Sequence, residues 1–236
     1  PELARVLVLY ADVPLITEQT LVNLMTAAEQ GAAVLVETMD DPTGYGRVLS
    51  NADGCVQAIV EQKDADETQK AVKQVNTGVI TAHAGQLRRW LSMLGNNNSQ
   101  GEYYLTDIFA MAAHENTPAK ISPCLYSGEA DGANDPVQLA SLERRYQARQ
   151  TKELMLKGVR LADPARLDVR GEIKVGLDVE IDVNVVLEGK IILHDGVRIG
   201  PFCRLKNVEL GAGTLLQAHC DLDGVVAQAN CTLGPF

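Results

Sequence analysis

The chain has 236 residues and a formal net charge of −10, with 46% hydrophobic but only 4% aromatic residues. Length and apolar content suffice for a real core, built mainly from Val, Leu, Ile and Ala. The acidic balance argues against nucleic acid and against an anionic membrane surface as partners, because both select basic patches.

In chain order, Val6 to Tyr10 is a continuous apolar run, which predicts a buried strand of a parallel sheet. It ends at Ala11-Asp12-Val13-Pro14. Glu18 to Gln30 has helical spacing, with Leu21, Leu24, Met25 and Ala28 on one face. Strands are predicted at Ala32 to Val36, Gln57 to Val60, Val79 to Ala82 and Lys120 to Tyr126, and helices over 84–94 and 104–114. Strands alternating with helices imply a three-layer α/β domain, whose ligands sit beyond the carboxyl ends of strands. Asp12 lies at such an end. Asn134-Asp135-Pro136 is a helix start signal. Val137, Leu139, Leu142, Tyr146 and Leu154 then predict one long amphipathic helix over 137–158 joining two halves.

From residue 167 the spacing changes. Leu167, Ile173, Val179, Val185, Ile191, Val197 and Cys203 recur every sixth residue, and all are apolar. Two residues later Val169, Val175, Ile181, Leu187, Leu193, Ile199 and Leu205 do the same. Polar residues stand between most pairs (Asp168, Lys174, Glu180, Arg198, Arg204), and glycines such as Gly171, Gly189 and Gly196 lie in the intervals. Short strands with alternating side chains, joined by tight corners, stack into a coil with a continuous aliphatic column. The register slips by one after Leu205, resumes at Val208/Leu210, Thr214/Leu216 and Cys220/Leu222, and slips again to Cys231/Leu233. The last residues, Gly234-Pro235-Phe236, offer no polar cap.

Candidate chemistry is dispersed. Asp12 has the placement to hold a divalent cation against a phosphate, or simply to cap the following helix. Thr43-Gly44-Tyr45-Gly46-Arg47 offers either close backbone approach to a ligand or a turn. Glu61 in Val60-Glu61-Gln62-Lys63-Asp64 is a candidate acceptor for sugar hydroxyls, or half of a solvated charge pair. Asn76 in Val75-Asn76-Thr77-Gly78 can both donate and accept, or belong to a turn. Gly101 to Tyr104 either flanks a ligand or opens a helix. His83, His114, His194 and His219 are not at metal-ligand spacing. The five cysteines (Cys55, Cys124, Cys203, Cys220, Cys231) show no C-x-x-C, which suits reduced thiols in a cytoplasmic protein. No apolar run reaches transmembrane length, and no signal peptide opens at Pro1-Glu2-Leu3.

The segments Tyr10–Leu15, Asp41–Arg47, Ile59–Ala65, Val75–Val79, Gln100–Asp107 and Gly132–Asp135 occur in order, followed by the joining helix and the six-residue repeat. Together they closely resemble the bacterial bifunctional N-acetylglucosamine-1-phosphate uridylyltransferase/glucosamine-1-phosphate acetyltransferases, over the whole chain. The resemblance implies a partial Rossmann-like nucleotidyltransferase domain over 1–134, a linker helix over 135–160 and the start of a left-handed parallel β-helix of hexapeptide repeats over 161–236. It implies Mg²⁺ as cofactor, with UTP, N-acetylglucosamine-1-phosphate and UDP-N-acetylglucosamine as ligands, and a homotrimer formed through the β-helix. It assigns Asp12 and Asn134 to the metal, Tyr10 and Ala11 to the ligand-lining segment, and Gly46, Glu61 and Asn76 to the sugar and its phosphate. Ala11 stands where the family usually has Gly. The family's Gly-rich nucleotide loop would precede residue 1 and its acetyltransferase residues would follow Phe236, so the chain is expected to be truncated at both ends. Two other readings stay open: a non-catalytic fragment that keeps the sugar-phosphate pocket and the oligomerising repeat, and a related enzyme such as one forming ADP-glucose.

Overall fold

The computed structural model describes residues 4–29 and 31–235. Expectations touching Pro1 to Leu3, Gln30 and Phe236 therefore lie outside the described residues. The chain divides into two compact units, residues 1–138 and 139–236.

The first unit runs β1 (Arg5–Val8), α1 (Glu18–Ala27), β2 (Ala32–Thr38), β3 (Arg47–Ser50), β4 (Val56–Val60), α2 (Glu67–Lys70), β5 (Gln74–His83), α3 (Ala84–Leu91), α4 (Ile108–His114) and β6 (Ala119–Pro123). β5 is the hub of its sheet. One edge pairs with β2. The other edge is shared, by β3 at Val75 and by β1 from Ile80 to His83. The full order is β4-β3-β5-β2-β6, with β1 beside β5. The parallel sheet expected from the apolar runs is corrected here: among the described strands of this sheet only β2 and β6 run parallel, and β1 is antiparallel and half-buried. An apolar run reports burial but not the direction of the neighbouring strand.

β2 is buried on both faces, and its alternation assigns the layers. Ala33 and Leu35 pack with Leu24 and Ala28 from the α1 side. Ala32, Val34 and Val36 join Leu87 and Trp90 of α3 and Ile108 and Phe109 of α4. The unit is thus the three-layer α/β arrangement that the element order predicts. The sequence reading extends several elements too far. The helix expected over 104–114 opens with a 3₁₀ turn at Leu105–Asp107 before α4. β3 and α2, short pieces after glycine-rich and charged stretches, carry too little periodicity to be predicted. α2 forms nonetheless because Asp66 and Gln69 make a reciprocal capping box.

The second unit begins within α5 (Pro136–Leu156). Its apolar face is narrower than expected: Val137 and Leu139 are exposed, whereas Leu142 and Leu154 are buried. Between them Gln147 and Thr151 are buried too. Gln147 explains why. Its Oε1 accepts the Val169 N–H at 2.8 Å, and its Nε2 donates to the Val169 carbonyl at 2.9 Å. The side-chain amide therefore closes the free edge of the first coil, as another strand would.

The coils form a parallel β-solenoid of about four turns. Val185–Leu193 pairs in parallel with Leu167–Val175, so that Val185 lies on Leu167, three hexapeptides earlier in the chain. The two slips seen in the sequence fall at one corner. Glu188 pairs with Lys206, a full three hexapeptides on. Ile192 pairs with Glu209, which falls one short of that spacing, and Glu209 pairs with Val226 one coil later, again one short. At the first slip Asn207, with φ 52°, absorbs the missing residue. Its Oδ1 accepts the Lys190 N–H at 3.1 Å and fills the space above Gly189, where a side chain would collide with it. The inward aliphatic positions, from Leu167 to Leu216, form one column of buried residues. Outside, Arg170, Glu188, Arg204 and Asp221 alternate in sign up one face.

Gln147→Met keeps the volume but removes both bonds to Val169. It is expected to lower the unfolding free energy by about 2–4 kcal/mol, the cost of two unsatisfied buried peptide groups, while Arg170→Ala costs less than about 1 kcal/mol. Urea titration of the three proteins checks this; equal midpoints would refute the edge-closing role.

Candidate functional site

The residues singled out in the sequence lie along one continuous path in the first unit. β1 ends at Val8, and Leu9 and Tyr10 turn outward into solvent. The Tyr10 ring lies against Gly78, whose φ of 80° and missing side chain make room for it; a Cβ there would meet the ring. Gly78 is tied to the next residue on the path, since its N–H donates to Asn76 Oδ1 at 2.9 Å. The Asn76 N–H donates to the Gly46 carbonyl at 2.8 Å. Gly46 in turn sits under Glu61: a Cβ on it would lie 3.1–3.2 Å from both carboxylate oxygens. Glycine is needed at 46 for the Glu61 carboxylate to stand where it does.

At the other end of the path, Asp12 occupies a turn and its side chain is exposed. The Ala133 N–H donates to the Asp12 carbonyl at 3.0 Å, and Gly132 lies against Asp12, where a Cβ would stand 3.5 Å from its carbonyl oxygen and from Oδ2. Asn134 follows at once. Its own N–H donates to Gln138 Oε1 at 2.7 Å, and its side chain is exposed. The approach of Asn134 to Asp12 thus runs through Gly132 and Ala133. Ala11 is not among the residues with positive φ, so its methyl group in place of glycine strains no backbone.

Arg47, which the sequence reading included in the Thr43–Arg47 motif but gave no role of its own, holds the Gly46–Glu61 end of this path. It is 2% exposed. Its guanidinium donates to the Tyr45 carbonyl, to the Lys70 carbonyl at 3.3 Å and to Gln62 Oε1 at 2.8 Å. One buried cation thereby fixes the residues flanking Gly46 and Glu61. Glu61 also opens onto a cleft of about 410 Å³ lined by Asp64, Asn98, Tyr104 and Asp107. Tyr104 is oriented by Gln100, whose Nε2 donates to its hydroxyl at 2.9 Å. Within the motif Gln100–Asp107 it is therefore Tyr104 and Asp107 that reach the cleft, while Gly101 and Tyr103 face solvent.

Burial first, and then the charges of Asp64 and Asp107, push the Glu61 carboxyl above its ordinary value near 4.5. Burial and Asp64 do the same to Asp107. A raised carboxyl binds its proton more tightly in the folded chain, so ionisation costs stability as pH rises through this range. Glu61→Gln is expected to raise stability at pH 7, with the gain shrinking as pH falls toward about 4.5 and gone below it. Denaturant midpoints of both proteins at pH 7 and pH 4 test this; a gain independent of pH would contradict it.

No protein-family model matches the chain. Among curated relatives, it is 59% identical over 237 residues to the "Bifunctional protein GlmU" of Stenotrophomonas maltophilia (strain K279a), covering 100% of this chain and 52% of that protein. It is 53% identical to the protein of the same name from Xylella fastidiosa (strain M23), and 52% identical to that of Xanthomonas axonopodis pv. citri, covering 100% of this chain and 51% and 52% of theirs. The chain thus spans about half the length of the relatives it matches. A solved structure of a putative glucose-1-phosphate thymidylyltransferase from Bacillus anthracis aligns with 19% identity and a TM-score of 0.41, over 58% of this chain and 52% of that one. From its first residue to its last, the chain is homologous to the bifunctional GlmU proteins, over about half of their length.

Proposed function

We propose that this chain furnishes the sugar-and-metal side of a cytoplasmic enzyme that joins UTP and N-acetylglucosamine-1-phosphate into UDP-N-acetylglucosamine for cell-wall precursor synthesis. The observation that carries this reading is the unbroken path from Glu61 through Gly46, Asn76 and Gly78 to Tyr10 and on along the chain to Asp12. Apart from Gly78, these are residues that the resemblance assigns to one ligand site, and they come from separate stretches of chain. In the reaction an oxygen of the sugar phosphate attacks the α-phosphorus of UTP. A new P–O bond forms, the bond to the β-phosphate oxygen breaks, and pyrophosphate leaves. No side-chain nucleophile is needed, so the contribution of these residues is alignment. Glu61 is set to accept from a sugar hydroxyl, Asn76 to orient the sugar phosphate or amide, and the Tyr10 ring to wall the segment leading to Asp12.

The residues around Asp12 fit a divalent cation. The described residues contain no group of three His, Cys, Asp or Glu able to form an all-protein cage. Mg²⁺ does not need one: it is commonly held by one or two carboxylates, with phosphate oxygens and water completing its shell. Asp12 would provide the carboxylate and Asn134 an amide oxygen, the two joined by the Ala133 bond to Asp12, with Gly132 packed against Asp12. When bound, the ion would offset phosphate charge. By the same resemblance, acetyl transfer to glucosamine-1-phosphate and a homotrimer formed through the solenoid belong to the longer protein. No helix among the described residues is long and apolar enough to cross a membrane.

Isothermal titration of the 236-residue chain with UDP-N-acetylglucosamine is expected to give tighter binding in Mg²⁺ than in EDTA, and little binding of ADP-glucose. Asp12→Asn should remove the difference between Mg²⁺ and EDTA. Glu61→Gln should weaken binding about 10- to 100-fold, the loss of one charge-assisted hydrogen bond. Metal-independent binding by the unaltered chain, or preference for ADP-glucose, would defeat the assignment.

A further inference from the structure

The loop between β6 and α5 carries Gly132, Ala133 and Asn134 and lies outside any strand or helix. A buried carboxylate within it anchors it. Glu129 is 1% exposed. Its Oε2 accepts the N–H of Leu125 at 2.9 Å and that of Tyr126 at 3.4 Å. Its Oε1 accepts the N–H of Thr17 at 2.8 Å and the Thr20 hydroxyl at 2.6 Å, at the start of α1. Thr17 lies shortly after Asp12, and Glu129 lies shortly before Asn134. One carboxylate therefore ties the stretch leaving Asp12 to the stretch arriving at Asn134. Glu37 supports it from β2: it is 6% exposed, and its Oε1 accepts the Gly128 N–H at 2.6 Å.

We infer that Glu129 is a positioning residue for the Asp12–Asn134 end of the site: it sets the distance between the two groups that would share the cation. The inference deepens the functional reading above and rests on it. Glu129 touches neither residue, so its effect passes through Ala133, whose N–H reaches the Asp12 carbonyl. Burial favours the neutral carboxyl, but the bonds from Thr20, Thr17 and Leu125 outweigh it and hold Glu129 below its usual range. The charged form is the one built into the fold, consistent with a group that accepts throughout and donates nowhere.

Glu129→Gln separates the two ends of this tie. The glutamine oxygen can still accept from Thr17 and Thr20, but its NH₂ would face the N–H groups of Leu125 and Tyr126, and donor against donor cannot bond. In the full chain, amide hydrogen exchange at Leu125, Tyr126 and Ala133 is expected to rise about tenfold or more, an opening step costing about 1.4 kcal/mol less per tenfold. Amides of β2 and β5 should not change. The ratio of UDP-N-acetylglucosamine affinities in Mg²⁺ and in EDTA should fall about tenfold, with the EDTA value unchanged, a split that general destabilisation would not produce. Thr20→Val, which deletes one donor and nearly keeps the volume, should move both readouts in the same direction by a smaller factor, and serves if Glu129→Gln does not fold. Unchanged exchange at Ala133, or faster exchange with an unchanged affinity ratio, overturns the inference. An unaltered chain that binds no nucleotide sugar in Mg²⁺ overturns the functional reading instead. In that case exchange at Ala133 alone decides whether Glu129 holds the loop on Asp12.

Discussion

A peptide N–H or C=O that is buried outside a regular ladder must still be hydrogen-bonded, at a cost of about 1–3 kcal/mol for each failure. In both units of this chain, single polar side chains meet that requirement where secondary structure stops. Gln147 does it for Val169 at the open edge of the solenoid. At an exposed corner, Asn207 bonds Lys190 in the same way where a coil loses a residue. Glu129 does it for Leu125 and Tyr126, and Arg47 for the carbonyls of Tyr45 and Lys70. The aliphatic columns supply the bulk of the stability. These four residues specify which edge, which corner and which loop conformation the columns support.

The candidate site depends on that arrangement. The residues proposed to face the ligand, Asp12, Gly46, Glu61, Asn76 and Asn134, lie at strand ends and in loops rather than within the core. Such positions suit binding, because side chains there reach solvent while a rigid sheet supports them. They are also the positions where a backbone is least constrained by its own ladder. Arg47 fixes the stretches carrying Gly46 and Glu61 from beneath, as Glu129 does for those carrying Asp12 and Asn134. The two clamps have opposite charge and the same task. Each accumulates several bonds on one buried ionic group, which raises the cost of removing it well above that of a surface pair.

The site has a thermodynamic cost of its own. Glu61, Asp64 and Asp107 crowd one cleft, and burial pushes the carboxyls of Glu61 and Asp107 upward. A fold selected for stability alone would not gather three acids there. Under the proposed function, their grouping suits a cleft that accepts hydroxyl or amide donors from a ligand.

Much of the second unit was legible in the sequence, because a repeat of six encodes its own geometry. Alternate side chains in a strand must point opposite ways, and three short strands complete a turn, as the pairing of Leu167 with Val185 displays. Even the register slips were visible, though only the coil pairing identified both as the same corner. In the first unit, the buried β2 and the amphipathic α1 were readable from spacing, but not the direction of β1, since an apolar run is satisfied by either kind of neighbour. Asp12, Gly46, Glu61, Asn76 and Asn134 were named from motifs. The path joining them could not be, because it runs between stretches as distant in the chain as Asp12 and Asn134. Arg47 was only the last residue of a named motif, without a role, and Glu129 left no signal at all: in sequence they are a charge after a glycine-rich turn and an acid in a loop. What makes them matter is burial, and burial of a charge is decided by which segments fold over it. Periodicity and residue chemistry are local and were determined by the sequence alone. The partners of a buried polar group are non-local, and only the tertiary structure decided them.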